Sequence, residues 1–142
     1  MSMYIPEHLK LLPSGDYERR SSDDNDHQTA SLKQQHDSNQ KLHKDNEIKP
    51  ALKIYVESMS AKKPGRPEFN QMLNDIEEGV ISVIFAWDLS RLSRNPIDSG
   101  RLSWLLQRSV LKSIQTIDRQ YLPDDNVLLF SVESGSANQF IL

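Results

Sequence analysis

The sequence predicts an α/β fold with a mostly parallel central sheet flanked by helices. Between residues 51 and 117, short segments rich in β-formers alternate with segments of helical periodicity. Residues 80–87 are almost all apolar, which is typical of a parallel strand that is covered on both faces. Because strands and helices that alternate with short connections form right-handed βαβ units, we expect a mostly parallel sheet.

Size and charge limit the classes of function. The chain has 142 residues, which is enough for one domain with a core. Its formal net charge of −3 gives no general attraction for nucleic acid or for an anionic membrane, so polyanion binding would need a local cluster of cations. We recognise no signal peptide and no apolar run long enough to cross a bilayer, and therefore expect a soluble cytoplasmic protein.

The residues that could bind a metal are few. The chain has no cysteine, which excludes disulfides and thiolate metal sites. The histidines all lie in the polar N-terminal third and belong to no metal-ligand motif, so we interpret them as solvated. They are His8, His27, His36 and His43.

A short extended segment begins at Tyr17 and ends in a polar turn. On the two-residue period of a strand, Tyr17, Arg19 and Ser21 share one face. Glu18 and Arg20 lie on the other, so that face is not an ordinary apolar one.

A helix is predicted from Ser31, a suitable N-cap, to about Lys44, and its apolar face is thin. Residues 51–56 then read as a strand. A loop with three cations follows, because residues 57–67 contain both proline and glycine. The cations are Lys62, Lys63 and Arg66.

Pro67 suits the first turn of the next helix, and Gly79 suits its end. The buried face of this helix follows the i, i+3, i+4, i+7 spacing. Its members are Phe69, Met72, Leu73 and Ile76.

After the apolar strand, two arginines stand three residues apart, at Arg91 and Arg94. Another amphipathic helix follows, marked by Ile97, Leu102, Leu105 and Leu106. Residues 111–117 read as a further strand. Residues 127–132 have strand propensity, but we predict a helix that begins near Asn126 and runs to the end of the chain without a stop signal.

Three segments with arginines each follow a strand and should therefore meet at one edge of the sheet. They carry Arg19 with Ser21, Arg66, and Arg91 with Arg94. Taken alone, Arg91 and Arg94 favour an ordinary surface loop with two solvated arginines. A serine among arginines without a histidine base is a poor match for ester or peptide hydrolysis and suits phosphoryl chemistry better. The lack of a Gly-rich nucleotide loop argues against a kinase or an NTPase.

These residues resemble the catalytic domain of the serine site-specific recombinases, the resolvase and invertase family that includes the large serine integrases. The family's first block is matched by Tyr17, Arg19, Ser21, Asp23, Asp24, Ser31, Leu32 and Gln35. The second is matched by Glu57, Ser60, Ala61, Arg66, Pro67 and Phe69. The third, Arg-Leu-Ser-Arg-Asn, is matched at residues 91–95 with Asp98 following, and residues 137–140 resemble the family's long dimerisation helix.

The resemblance implies a resolvase-like catalytic domain over residues 17–122, after an N-terminal arm or extra strand at 1–16. Residues 123–142 would begin the dimerisation helix, which is cut at the chain end, and the C-terminal DNA-binding domains would be absent from this chain. The fragment alone should therefore bind DNA with little sequence specificity. The resemblance also implies a protein of the prokaryotic cytoplasm, associated with the nucleoid, whose gene lies on a phage or another mobile element.

The implied chemistry is DNA strand exchange without metal, ATP or another cofactor. Ser21 would attack a backbone phosphate of double-stranded DNA and form a 5′-phosphoserine link. The phosphate would be held by Arg19, Arg66, Arg91 and Arg94. Homodimers would assemble into a homotetramer on the DNA. Ser22 is the rival nucleophile, and alternation favours Ser21 because it shares a face with Arg19.

Two features depart from the family pattern. Ser90 stands where the family commonly has an aspartate, and Glu18 and Arg20 occupy inward positions of the first strand that are usually apolar. We expect this strand to lie at a wet edge of the sheet or to be displaced. A catalytically silent DNA-associated or assembly module is therefore the alternative function. A metal-dependent nuclease is a third, disfavoured by the scarcity of carboxylates near the arginines.

Overall fold

A computed structural model describes residues 5–20 and 30–124 of the chain. In chain order its elements are α1 (Glu7–Lys10), β1 (Ser14–Arg19), α2 (Leu32–Asp45), β2 (Lys53–Glu57), α3 (Pro67–Glu77), β3 (Val83–Phe85), α4 (Leu89–Leu92), α5 (Pro96–Gln107), β4 (Ser113–Gln115) and β5 (Gln120–Tyr121). The sheet order is β2-β1-β3-β4-β5. The first four strands in this order are parallel and β5 is antiparallel to β4, which confirms the predicted fold class.

Several helix boundaries follow from local chemistry that the sequence shows. The Ser31 side chain accepts a hydrogen bond from the Gln34 backbone N–H, and the Gln34 side chain accepts one from the Ser31 N–H, which completes a capping box for α2. Pro67 opens α3, and Gly79 follows its end with a positive φ of 78°. These boundaries confirm the expected start and stop signals.

The first strand is longer and more central than expected. β1 begins at Ser14 instead of Tyr17, and residues 7–10 before it form a helix instead of an extra strand. β1 pairs with β2 on one side and β3 on the other, so the expectation of a wet edge is wrong. A partner on each side requires every backbone amide of this strand to find an acceptor inside the protein.

Other boundaries also differ from the sequence expectations. The apolar run forms only the three-residue strand β3, and the arginine segment that read as a loop contains the short helix α4. Ile97, expected on the buried face of α5, is 62% exposed. The predicted helix from Asn126 lies outside the described residues.

Each face of the sheet carries its own apolar cluster. On one face Tyr17, Tyr55 and Ile84 pack with α3 and α5. On the other, Val83 and Phe85 pack with residues of α1 and of the segment after α2. Burial of these side chains is the main force that holds the helices on the sheet.

A polar layer lies between β1 and α2, in line with the charged face expected for this strand and the thin apolar face expected for this helix. Asp16 and Glu18 point toward α2 and are buried. His43 Nε2 lies 2.9 Å from an Asp16 carboxylate oxygen, and His36 Nδ1 lies 2.9 Å from one of Glu18. His43 also contacts the Phe85 ring, with centroids 4.1 Å apart. The interpretation of His43 as solvated is therefore wrong, because its side chain is only 5% exposed, whereas the side chain of His36 is 44% exposed beside Glu18.

Candidate active site

Three of the predicted arginines form a buried cluster at the carboxyl ends of the strands. Arg19, Arg66 and Arg91, here called the arginine cluster, are 0%, 0% and 1% exposed. The Arg91 carbonyl oxygen accepts hydrogen bonds from Arg19 Nε at 3.3 Å and from Arg66 Nη1 at 3.4 Å. The structure thus brings these residues together across 72 positions of sequence.

Each arginine is placed by the end of an element. Arg19 is the last residue of β1, and Arg66 is the N-cap of α3. Arg91 lies in α4, whose N-terminus is capped by Asp88. The carboxyl ends of parallel strands share one edge of the sheet, and helices that follow them begin there, so the three side chains converge.

Both Nη nitrogens of Arg66 are held by protein acceptors. Its Nη1 donates to the Tyr17 hydroxyl at 2.9 Å as well as to Arg91, and its Nη2 donates to the Leu92 carbonyl at 2.6 Å and to Asp98 Oδ2 at 3.1 Å. Both hydrogens on each Nη nitrogen therefore have an acceptor. The buried Nε–H has no partner among the described residues.

Asp98 supplies the opposite charge. Its carboxylate is fully buried and also accepts from Asn95 Nδ2 at 3.0 Å and from Arg101 Nη1 at 3.2 Å. The Asn95 side chain in turn caps α5 by accepting from the Asp98 backbone N–H at 2.9 Å. The start of α5 and the Arg66 guanidinium are thus fixed by the same two side chains.

Tyr17 and Glu57 complete the surroundings of Arg66. Burial raises the pKa of the Tyr17 hydroxyl to about 12, although the nearby Arg66 cation opposes this, so the phenol is neutral near pH 7. Glu57 ends β2, and its carboxylate accepts from the Glu68 backbone N–H at 3.2 Å. This carboxylate caps the start of α3, because the side chain of Arg66, the N-cap residue, makes no capping hydrogen bond. Burial also raises the pKa of the Glu57 carboxyl.

Arg94 is less buried than the three arginines of the arginine cluster. Arg94 is half-buried, and its backbone N–H donates to the Ala61 carbonyl at 3.0 Å. Asn95 Nδ2 donates to the same carbonyl, so the loop after β2 is tied to the segment after α4. Ser21 and its rival Ser22 lie outside the described residues.

The serine at position 90 has a local partner. Ser90 Oγ donates to Asp88 Oδ1 at 2.7 Å, and this oxygen also accepts from the Arg91 backbone N–H at 3.0 Å. The carboxylate near Arg91 therefore comes from Asp88, and in this structure it caps α4.

Sequence reasoning missed several supporting residues. Tyr17, Gln35 and Glu57 were matched to motifs without a role, and Asp98 was noted only as following the third motif. The spacing of Asn95 and Asp98, three residues apart at a helix start, was the one local signal available. Gln35 contacts residues at the end of β1, which no pattern within α2 could show.

Two searches of the described residues were negative. Residues 5–20 and 30–124 contain no group of three or more histidine, aspartate or glutamate side chains that could hold a metal ion. None of their helices is long and apolar enough to span a membrane.

Comparisons with known proteins agree on one family. The family described as Resolvase, N terminal domain, matches residues 16–134. The catalytic domain of TP901-1 integrase superposes with a TM-score of 0.65 at 19% identity, covering 90% of this chain and 95% of that one. A resolvase family site-specific recombinase from Streptococcus pneumoniae gives 0.60 at 21%, covering 90% and 87%.

A third solved structure belongs to a transposase-related protein. The catalytic domain of ISC1926 TnpA, an IS607-like serine recombinase, gives a TM-score of 0.60 at 17% identity, covering 76% of this chain and 71% of that one. At these identities the likeness shows the fold. No curated protein sequence matches the chain.

Proposed function

Because the chain belongs to the resolvase family of serine recombinases, we propose that it cleaves and rejoins DNA strands in site-specific recombination through a covalent phosphoserine. The observation that carries this proposal is the arginine cluster. Three buried guanidinium groups meet at the end of β1, two residues before Ser21. Concentrated positive charge within two residues of a serine in the sequence is suited to attack on a phosphodiester.

The proposed reaction is a transesterification. The Ser21 Oγ–P bond forms as the P–O3′ bond breaks, the serine proton passes to solvent, and the departing 3′ oxygen takes up a proton. The 5′ phosphate remains as an ester on Ser21. Attack by another 3′-hydroxyl reverses these steps on a new strand. One ester replaces another at each stage, so the proposal requires no ATP, metal or other cofactor.

The arginines would stabilise charge on the non-bridging oxygens of the phosphate. Arg19, Arg91 and Arg94 are proposed to bind these oxygens. Arg66 is proposed to join them by exchanging a contact, because all four of its Nη hydrogens are held by protein acceptors. The partner is double-stranded DNA, on which homodimers would pair into a homotetramer and exchange ends.

The test is a search for the covalent complex. The purified protein is incubated in EDTA with a supercoiled plasmid that carries the DNA flanking its gene, and the reaction is stopped with detergent. We expect a protein–DNA adduct whose 3′ ends are extended by terminal transferase and whose 5′ ends stay blocked after protease digestion, because the phosphoserine ester survives it. Ser21→Ala should abolish this adduct, because its phosphate acceptor is gone.

Ser22→Ala is the matched control and should form the adduct at a rate within about threefold of wild type, because it leaves the proposed nucleophile in place. An adduct that survives in Ser21→Ala would show that the nucleophile is another residue. Cleavage that EDTA abolishes would indicate a metal-dependent nuclease. No adduct from the wild-type protein on DNA that it binds would favour the silent module.

A further inference from the structure

The side chain of Gln35 on α2 is fully buried. It contacts the backbone of Arg19, at the end of β1, and the backbone of Ala30, just before α2. We propose that Gln35 is a positioning residue, which fixes Arg19 and Arg91 without touching the DNA. The inference rests on the proposed function for its effect on the reaction. Its structural part, the placement of these two arginines, stands on the contacts alone.

Gln35 completes the backbone pairing of β1. Its Oε1 accepts from the Arg19 N–H at 2.9 Å, and its Nε2 donates to the Arg19 carbonyl at 2.8 Å. Pairing with β3 ends at Asp16 and Phe85, so none of the strands within residues 5–20 and 30–124 pairs with Arg19 on that side. On the other side the Arg20 N–H donates to the Glu57 carbonyl at 2.8 Å. The carboxamide thus supplies the donor and the acceptor of a missing neighbouring strand.

The same amide reaches the chain beyond residues 21–29. Gln35 Nε2 also donates to the Ala30 carbonyl at 3.0 Å, and this carbonyl accepts from Arg91 Nη2 at 3.2 Å. Arg91 and Arg19 are also joined directly, because the Arg91 carbonyl accepts a hydrogen bond from Arg19 Nε. One side chain therefore sets the backbone that carries Arg19 and the carbonyl that anchors Arg91.

Loss of this amide would free both arginines to shift. The Arg19 N–H and carbonyl are buried, and without Gln35 they would have to turn to find other partners. A displacement of about 1 Å in a catalytic group can cost as much as about a hundredfold in rate. The effect should fall on the chemical step, because Gln35 is enclosed and offers no atom to DNA.

Gln35→Met is the first test, since methionine keeps the length of the side chain and removes the amide. At saturating DNA, and at a temperature where circular dichroism shows the variant folded, the rate of adduct formation should fall by about tenfold or more. The DNA concentration for half-maximal rate should change by less than about twofold. Gln40→Met is the matched control, because it removes from the same helix an amide that donates to the Asp16 side chain.

Gln35→Glu separates positioning from general loosening of α2. A carboxylate still accepts from the Arg19 N–H but faces the Arg19 and Ala30 carbonyls without a donor. Protonation restores one donor, so its rate relative to wild type should rise as pH falls, whereas Gln35→Met should show no such recovery. Rates for both variants within about twofold of wild type would overturn the proposal, as would a loss seen only in DNA binding.

Hydrogen exchange of the Arg19 backbone amide gives a readout that needs no activity. Exchange should be faster in Gln35→Met than in wild type and unchanged in Gln40→Met. If the wild-type protein forms no adduct, the proposed function fails while this exchange result still decides whether Gln35 fixes Arg19. If the adduct forms and exchange is unaffected by Gln35→Met, the inference fails and the function stands.

Discussion

At the scale of single residues, the Arg66 guanidinium is a buried cation held by several protein groups. It is fully enclosed and lies over the Phe69 ring, with its central carbon 3.9 Å from the ring centroid. Taking a cation out of water is costly, and the cost is offset here by Asp98 and by carbonyl and hydroxyl acceptors. An ionised carboxylate at position 98 is therefore needed to keep this cation inside the protein.

We predict that Asp98→Asn lowers the free energy of unfolding by about 3–5 kcal/mol, because it keeps the shape of the side chain and leaves a buried charge without its counterion. Urea denaturation measures the change. Glu77→Gln, at the exposed pair that Glu77 makes with Arg108 at 2.6 Å, should cost less than about 1 kcal/mol. Similar losses for the two variants would mean that Asp98 does not balance the Arg66 charge.

At the scale of elements, β1 and α2 meet through the polar layer instead of through apolar side chains. Burial raises the pKa of the Glu18 carboxyl, although the hydrogen bond from His36 opposes this. The folded protein therefore holds a proton on Glu18 at pH values where the unfolded chain has lost it. As pH rises from the ordinary pKa of glutamate through the raised pKa of Glu18, ionisation of this carboxyl therefore lowers the stability of the folded protein.

Glu18→Gln should remove this cost, because a neutral amide still accepts from the His36 ring. The variant should gain stability relative to wild type at pH 7, and the gain should shrink as pH falls toward the ordinary pKa of glutamate. Urea denaturation across this range measures the difference, in which contributions from other groups such as Glu57 cancel. The exposed Glu78→Gln should show no such trend, and a gain for Glu18→Gln that is independent of pH would contradict the argument.

At the scale of the whole molecule, features that follow from local periodicity were predictable from the sequence. The strands of the sheet and the helix α3, with Pro67 and Gly79 at its ends, follow from this periodicity. The meeting of Arg19, Arg66 and Arg91 follows from the rule that the carboxyl ends of parallel strands share one edge. β5 was missed because two residues carry no period.

The polar layer and the supporting contacts were missed for a different reason. A histidine is as polar in a buried pair with Asp16 as in solvent, so its sequence context does not report its burial. Gln35 likewise acts on residues 16 positions away. Such roles depend on which elements the fold places side by side, and a single sequence does not state this.

The distribution of charge across the fold gives the last prediction. With a net charge of −3, the chain needs a local concentration of cations to attract DNA, and the proposed site lies at the carboxyl edge of the sheet. Lys62 and Lys63 are exposed at this edge, in the loop between β2 and α3. If they contact phosphates, the double variant Lys62→Gln with Lys63→Gln should weaken noncovalent DNA binding and reduce the slope of log K against log salt by up to about 1.8.

Lys49→Gln with Lys112→Gln is the control, because it removes the same charge from exposed positions before β2 and β4, at the opposite edge of the sheet. This double variant should leave the slope nearly unchanged. Fluorescence anisotropy titrations over a series of salt concentrations measure both slopes. Equal losses in the two double variants would mean that DNA responds to net charge alone and that the carboxyl edge is not its binding surface.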